Sequence, residues 1–267
     1  MKKAYVHGYD ARESVRLQDQ ASTLAGLLHS DTSFAAGSRV LEAGCGVGAQ
    51  TSMLALRSPG AEITAIDLSA TSLAEARKKL DSEGIANVSL IQGDIFKPPF
   101  EPATFDHVFV CFVLEHLTNP VQALRSLKQM IRPRGTITVI EGDHGSVCFH
   151  PESPQARQAI SCQIALQAES GGNALIGREL YPLLIKAGFR NCRVSPRMVY
   201  VDSSKPDLVE GFTRNTFTAM IEGVREKVLA SGIMDPESFD KGIRDLYRTT
   251  ETDGVFCYTF FKATAIR

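Results

Sequence analysis

The chain has 267 residues, 43% of them hydrophobic and 22% charged, which is ordinary for a soluble globular protein and enough for one large domain with a sizeable insertion. A net charge of −1 gives no electrostatic footprint for nucleic acid or an anionic membrane, and no apolar run approaches a membrane span. Six scattered cysteines with no C-x-x-C pair, and a Met1–Tyr9 segment without an apolar signal core, lead us to expect a reduced, cytoplasmic protein.

In chain order, residues 13–28 have the composition of a helix, with Leu17, Ala21, Leu24, Ala25, Leu27 and Leu28 on its apolar face. A strand over 39–43 runs into Gly44-Cys45-Gly46-Val47-Gly48, and a helix over 49–57 follows. Alternating glycines in a strand-to-helix turn allow close backbone approach to a ligand, and the helix N-terminus aims free N–H groups at it. Glu42, just before the glycines, suits a ligand bearing an ammonium group better than a pyrophosphate. A strand over 62–67 ends in Asp67, about twenty residues beyond the glycines, the spacing at which an acid meets ribose hydroxyls. Alternation continues with a helix over 70–83 capped by Ser69, a strand over 88–92 leading to Gly93-Asp94, and a strand over 106–111. A helix over 120–131 begins at Asn119-Pro120, and a fifth strand covers 135–141. Strands alternating with short helices predict a parallel sheet with ligands at the carboxyl ends of its strands.

Beyond the fifth strand the pattern changes. Residues 144–154 read as an irregular loop, 155–170 and 177–187 as helices, and 189–201 as a strand. Helices over 207–230 and 236–250 precede a last strand over 254–266. The domain reading is an N-terminal helical cap over 1–37 and a main domain over 38–267, with helical lid insertions at about 145–175 and 205–250.

Taken together, Leu41–Gly48, Ala65–Ser69, Gln92–Asp94, Phe105–Val108, Leu127–Gly135, Gly177–Leu180 and Ala187–Phe189 make the chain resemble the class I S-adenosylmethionine-dependent methyltransferases. The resemblance is to the small-molecule branch that includes the ubiquinone-biosynthesis C-methyltransferases, and it covers residues 38–195. It implies a Rossmann-like, seven-stranded, mostly parallel sheet with helices on both faces. The last strand is then antiparallel and inserted beside the fifth, and a helical cap or lid covers the site.

The implied cofactor is S-adenosyl-L-methionine and the implied partner a small-molecule methyl acceptor. Gly44, Gly46 and Gly48 approach the methionine part, which Glu42 assists at its ammonium end. Asp67 takes the ribose hydroxyls and Leu68 packs on the adenine. Asp94, after Gly93, takes the adenine amino group, with Ile95 on the ring face. Cys111 and Phe112 floor the sulfonium, while Cys45, Gln50 and His116 complete the cofactor set. Tyr9 and Arg16 belong to a possible N-terminal closure, Arg16 sharing a helix face with Gln20.

Glu141-Gly142-Asp143-His144, directly after the fifth strand, is the catalytic candidate: His144 as general base or substrate orienter, Glu141 and Asp143 toward substrate. Tyr200, Asn215 and Phe217 are candidate substrate contacts from the lid. His144, Cys148, His150 and Cys162 match no zinc spacing, so no metal is expected. Two alternatives stand beside this reading. One is an NAD(P)-dependent oxidoreductase, since Gly44, Gly46 and Ala49 also fit G-x-G-x-x-[GA]; the other is a non-enzymatic cofactor-binding protein on the same scaffold.

Overall fold

The computed structural model describes residues 23–267. Seven strands form one sheet in the order β3-β2-β1-β4-β5-β7-β6. They are β1 (Arg39–Ala43), β2 (Glu62–Asp67), β3 (Val88–Gln92), β4 (Phe105–Cys111), β5 (Ile131–His150), β6 (Arg190–Val201) and β7 (Val255–Ile266). The chain divides into two units, and β5, β6 and β7 have residues in both.

The larger unit comprises Ala25–Gly142, Ile176–Arg197 and Phe261–Arg267. Its strands β1 to β5 pair in parallel, with Val40 opposite Ile63, Leu41 opposite Val108, Ile66 opposite Ile91 and Val108 opposite Ile137. Strands covered on both faces read as unbroken apolar runs, and Val40, Leu41, Val108, Phe109, Val110, Ile137 and Val139 are all fully buried. Helices α2 (Ala49–Arg57), α3 (Ala70–Ser82) and α4 (Pro120–Met130) alternate with these strands. Local chemistry sets the helix starts. Ser69 Oγ accepts from Ser72 N at 3.1 Å, and Asn119 Oδ1 accepts from Gln122 N at 3.1 Å ahead of Pro120. A 3₁₀ turn (Ile176–Glu179) and α6 (Leu180–Lys186) replace the single helix read over 177–187, and pack Ile176, Leu180 and Leu184 into the core.

A helix over 23–29, α1, lies mostly in this unit, and two cations hold carbonyls at and just beyond its end. Lys262 Nζ, on a side chain only 4% exposed, donates to Leu28 O at 3.3 Å, Thr32 Oγ1 at 2.6 Å and Asp31 Oδ1 at 2.5 Å. Arg57 donates to Ser30 O at 2.8 Å and Thr32 O at 3.1 Å. The Asp31 carboxyl loses some solvent, yet Lys262 and Arg197 hold its pKa down at about 2. Tyr9, Arg16 and Gln20 lie outside the described residues, as does most of the helix read over 13–28.

The smaller unit comprises residues 23–24, Asp143–Leu175 and Met198–Phe260. Helices α5 (Pro154–Glu169) and α10 (Pro236–Arg248) pack so closely that a Cβ on Gly242 would lie 2.6 Å from Gln155 O. Between β6 and α10 run α7 (Pro206–Leu208), a π-helical stretch (Val209–Thr218), α8 (Ala219–Gly223) and α9 (Arg225–Ser231). The bond from Thr216 Oγ1 to Gly211 O, 2.6 Å, spans this widened turn.

One expectation fails here. Residues 144–150 continue β5 rather than forming a loop. Val147 and Phe149 point inward while Cys148 and His150 point outward, the period of a strand. The polar run Asp143-His144-Gly145-Ser146 hides that alternation in the sequence. On β7, Phe256, Tyr258 and Phe260 share one face and form a T-shaped and tilted aromatic cluster with Phe212 and Phe217.

Candidate functional site

The glycine turn lies in the larger unit, between β1 and α2, and two of its glycines serve different ends. Gly44 is in the left-handed region at φ 81°, and a Cβ there would lie 2.6 Å from Val113 Cγ2. It therefore lets the turn press against the segment after β4. Gly46, at φ 51°, has nothing within 4 Å of its Cβ position, so its face opens to a ligand. Behind Gly48, Ala76 of α3 closes the packing, with its Cβ 3.0 Å from where a side chain would begin.

Asp67 fixes this turn from the end of β2. Its Oδ2 accepts from Gly46 N at 2.9 Å and its Oδ1 from Ser69 N at 2.8 Å. Gly44 N and Cys45 N both donate to Ile66 O, at 2.8 and 3.0 Å. One carboxylate thus orients both the glycine turn and the N-cap of α3, and keeps lone pairs for further donors. Beside it, Leu68 is 69% exposed, a large apolar side chain left bare at a strand end. Asp94 is also exposed, its Oδ1 accepting from Phe96 N at 2.8 Å. Gly93 packs beneath it against Pro99, and Ile95 is half-buried.

Glu42 is buried beneath the glycines, and its Oε2 has no hydrogen-bond partner. Burial lifts its pKa to about 7; the Thr51 hydroxyl opposes this without reaching hydrogen-bond geometry, and the Asp67 carboxylate adds to it. Cys45 and Cys111 are buried thiols whose pKa values burial drives upward, so neither is poised as a nucleophile. Gln50, in the first turn of α2, receives a partner that sequence reasoning missed: His29 Nε2 lies 2.7 Å from Gln50 Oε1. Burial lowers the His29 pKa to about 4, so a neutral imidazole joins α1 to the glycine helix.

The segment after β4 is strained and anchored. Phe112 adopts a left-handed φ of 57° while its N–H donates to Ile140 O at 2.9 Å. Glu141, fully buried, accepts from Val113 N at 3.0 Å and Leu114 N at 2.7 Å through Oε1. Burial and the neighbouring Glu115 carboxyl push the Glu141 pKa well up. Glu115 in turn lies 3.6 Å from His116 Nε2. Glu141, expected toward substrate, is fully buried and uses Oε1 to hold two backbone amides. No sequence spacing marks that role, because the amides lie about thirty residues upstream.

In the smaller unit the structure brings His144 to Tyr258, a residue not singled out by the sequence. His144 Nδ1 lies 2.7 Å from Tyr258 Oη, and both are buried. The His144 ring also meets Phe217 edge-on at 5.9 Å. A signal for Tyr258 existed in the alternation Phe256-Tyr258-Phe260, which places the phenol on the apolar face, where its hydroxyl needs a partner. Asp143, within β5, is 2% exposed and its Oδ1 accepts from Gly145 N at 3.0 Å. Phe217 is 2% exposed and sits in the aromatic core. Tyr200 and Asn215 are exposed; the Tyr200 ring carries Lys205 Nζ at 4.7 Å.

With this geometry in view, comparison with known proteins is informative. Residues 41–139 match the family model described as a methyltransferase domain. An uncharacterized 37.1 kDa protein in a Streptomyces fradiae transposon is 31% identical over 189 residues, 70% of this chain and 54% of that one. A ubiquinone/menaquinone biosynthesis C-methyltransferase from Pseudomonas paraeruginosa is 36% identical over 107 residues, 39% of this chain and 42% of its own. The chain spans about half the length of the curated relatives it matches. Among solved structures, phosphoethanolamine N-methyltransferase 2 of Haemonchus contortus, in complex with phosphomonomethylethanolamine and S-adenosylhomocysteine, superposes with a TM-score of 0.59 at 18% identity. That match covers 97% of this chain and 58% of the other. Residues 41–139 are thus similar to a methyltransferase domain, and the sheet order agrees with the fold of these solved structures.

Proposed function

We propose that this protein transfers the methyl group of S-adenosylmethionine to a small-molecule acceptor. The observation that carries the reading is the joint held by Asp67: one carboxylate fixes Gly46, whose open face can admit a ligand, and stands beside the bare Leu68 side chain. The residues present fit the cofactor. Asp67 retains lone pairs for ribose hydroxyls, Leu68 offers an apolar surface to adenine, and exposed Asp94 offers an acceptor to its amino group. The unpartnered Glu42 Oε2 places negative potential beneath the glycines, where an ammonium group would balance it.

When bound, the cofactor supplies a methyl group already activated by its sulfonium charge. The protein is left with positioning, exclusion of water and management of the acceptor's proton. Glu141 holds the strained Phe112 turn in place, with Cys111 and Phe112 lining the floor. His144 is the group we assign to the acceptor. With Nδ1–H donating to Tyr258 Oη, Nε2 is the atom that accepts a proton from a hydroxyl or amine nucleophile.

The test is incubation of the full chain with methyl-labelled S-adenosylmethionine and a metabolite extract, followed by mass spectrometry of labelled products. Label in a small molecule, absent with Asp67→Ala, supports the proposal. Failure to transfer despite cofactor binding would support a binding protein instead, and retention of NADH in place of S-adenosylmethionine would support an oxidoreductase.

A further inference from the structure

Of the cysteines, two face each other across neighbouring strands of the smaller unit. Thr259 N donates to Ser146 Oγ at 2.9 Å, and the Ser146 hydroxyl lies 3.4 Å from Thr259 O, so Ser146 of β5 is opposite Thr259 of β7. In an antiparallel pair, two steps forward from Ser146 and two steps back from Thr259 bring Cys148 opposite Cys257. Burial and then the neighbouring Cys148 thiol push the Cys257 pKa up to about 11. Cys148 is exposed and Cys257 is buried. Both are on the outward face of the strand pair, opposite the aromatic face of Phe256, Tyr258 and Phe260. Arg157 lies near Cys148 and Lys205 near Cys257, so cations flank the pair.

We propose that Cys148 and Cys257 form a reversible cross-strand disulfide, a thiol modification site separate from the methyltransferase machinery. Directly opposed residues have Cβ atoms about 4.5–5.5 Å apart, and a disulfide needs about 3.5–4.5 Å, so closure takes a small strand adjustment. Accessibility sets the order of events. The Cys148 thiolate attacks one sulfur of a small disulfide such as oxidised glutathione, forming a mixed disulfide and releasing one glutathione thiolate. The Cys257 thiolate then attacks the Cys148 sulfur and releases the second glutathione. The protein gives up two protons and two electrons, and the glutathione disulfide takes them up as two thiols. The other cysteines are placed differently: Cys162 Sγ packs 4.0 Å from Met234 Sδ, and Cys45, Cys111 and Cys192 lie in the larger unit. A metal reading of the pair is weaker, because no three His, Cys, Asp or Glu side chains among the described residues are placed to share an ion.

The site has a structural consequence. Cys257 is adjacent to Tyr258, and Cys148 follows His144 on the same strand, so the bond would pin the register of the two strands that carry the His144–Tyr258 pair.

The experiment treats the reduced, folded full chain with oxidised glutathione, alkylates the remaining thiols and determines intact mass and linked peptides. The expected product has lost two alkylatable thiols, carries no glutathione, yields a Cys148–Cys257 peptide and reverts with dithiothreitol. Cys257→Ser should accumulate glutathione on Cys148, and Cys148→Ser should leave Cys257 reduced. Stable glutathionylation of Cys148 in the parent with Cys257 still free, or a cross-link through any other cysteine, would overturn the proposal.

Discussion

Replacing Asp67 tests the joint on which the proposed cofactor site depends. Asp67→Ala removes the acceptor of two backbone donors, Gly46 N at 2.9 Å and Ser69 N at 2.8 Å. Hydrogen bonds to a charged group contribute about 1.5–3 kcal/mol each, but the carboxylate is half-exposed and water takes over part of what is lost. Taking the equivalent of one such bond gives about 1.5–3 kcal/mol, a loss of roughly 10- to 100-fold in cofactor affinity. Asp67→Asn should be nearly as damaging, because its amide nitrogen would confront either the Gly46 or the Ser69 N–H, donor against donor. Isothermal titration with S-adenosylmethionine reads the affinity, and circular dichroism melting reads the cost to α3 and the glycine turn. Affinity within about twofold of the parent, with an unchanged melt, would refute the assignment of Asp67 as the organiser of this site.

Three further outcomes follow from the same geometry. Gly44→Ala should destabilise the fold, because its Cβ meets Val113 Cγ2 at 2.6 Å, and Val113→Ala should partly restore it; Gly46→Ala enters open space and should lose cofactor binding with a modest melting change, which paired thermal and binding measurements separate. Glu42 has a folded pKa of about 7 against an ordinary 4.5, so its buried carboxyl stabilises the fold relative to its ionised form below pH 4.5, and that contribution drains away as pH rises to 7. Urea melts of Glu42→Gln and parent should therefore diverge by about 3 kcal/mol between those limits in favour of the glutamine variant at the higher pH, and parallel curves would contradict it. His144→Ala should lower kcat by about 10²–10⁴-fold with cofactor affinity preserved, and Tyr258→Phe should shift the pH–rate profile; a change in KM alone would leave His144 as a substrate-holding residue.

The cofactor half of this molecule was legible because its constraints are local. Buried parallel strands appear as apolar runs, Ser69 and Asn119 announce helix starts, and positive-φ turns require glycine at Gly44 and Gly46. The rest was obscured where the structure depends on contacts distant in sequence. Nothing near Glu141 signals that its carboxyl caps the amides of Val113 and Leu114. His144 meets Tyr258 across 114 residues, and Gln50 meets His29 from another helix. Strand β5 was cut short in the reading because polar residues interrupt its alternation before Val147 and Phe149 resume it. A π-helical stretch over Val209–Thr218 has no sequence periodicity of its own to reveal it, and there Phe217 proved to be core.

The central claim is that the glycine turn, Asp67 and Leu68 form a site for S-adenosylmethionine. Its most direct test is calorimetric titration of the full chain with S-adenosylmethionine, S-adenosylhomocysteine and NADH, each with and without a chelator. The account predicts saturable binding of the first two at one site, indifferent to the chelator, and no heat from NADH. Binding of NADH that S-adenosylmethionine does not displace, or no binding of S-adenosylmethionine by the folded chain, would contradict it.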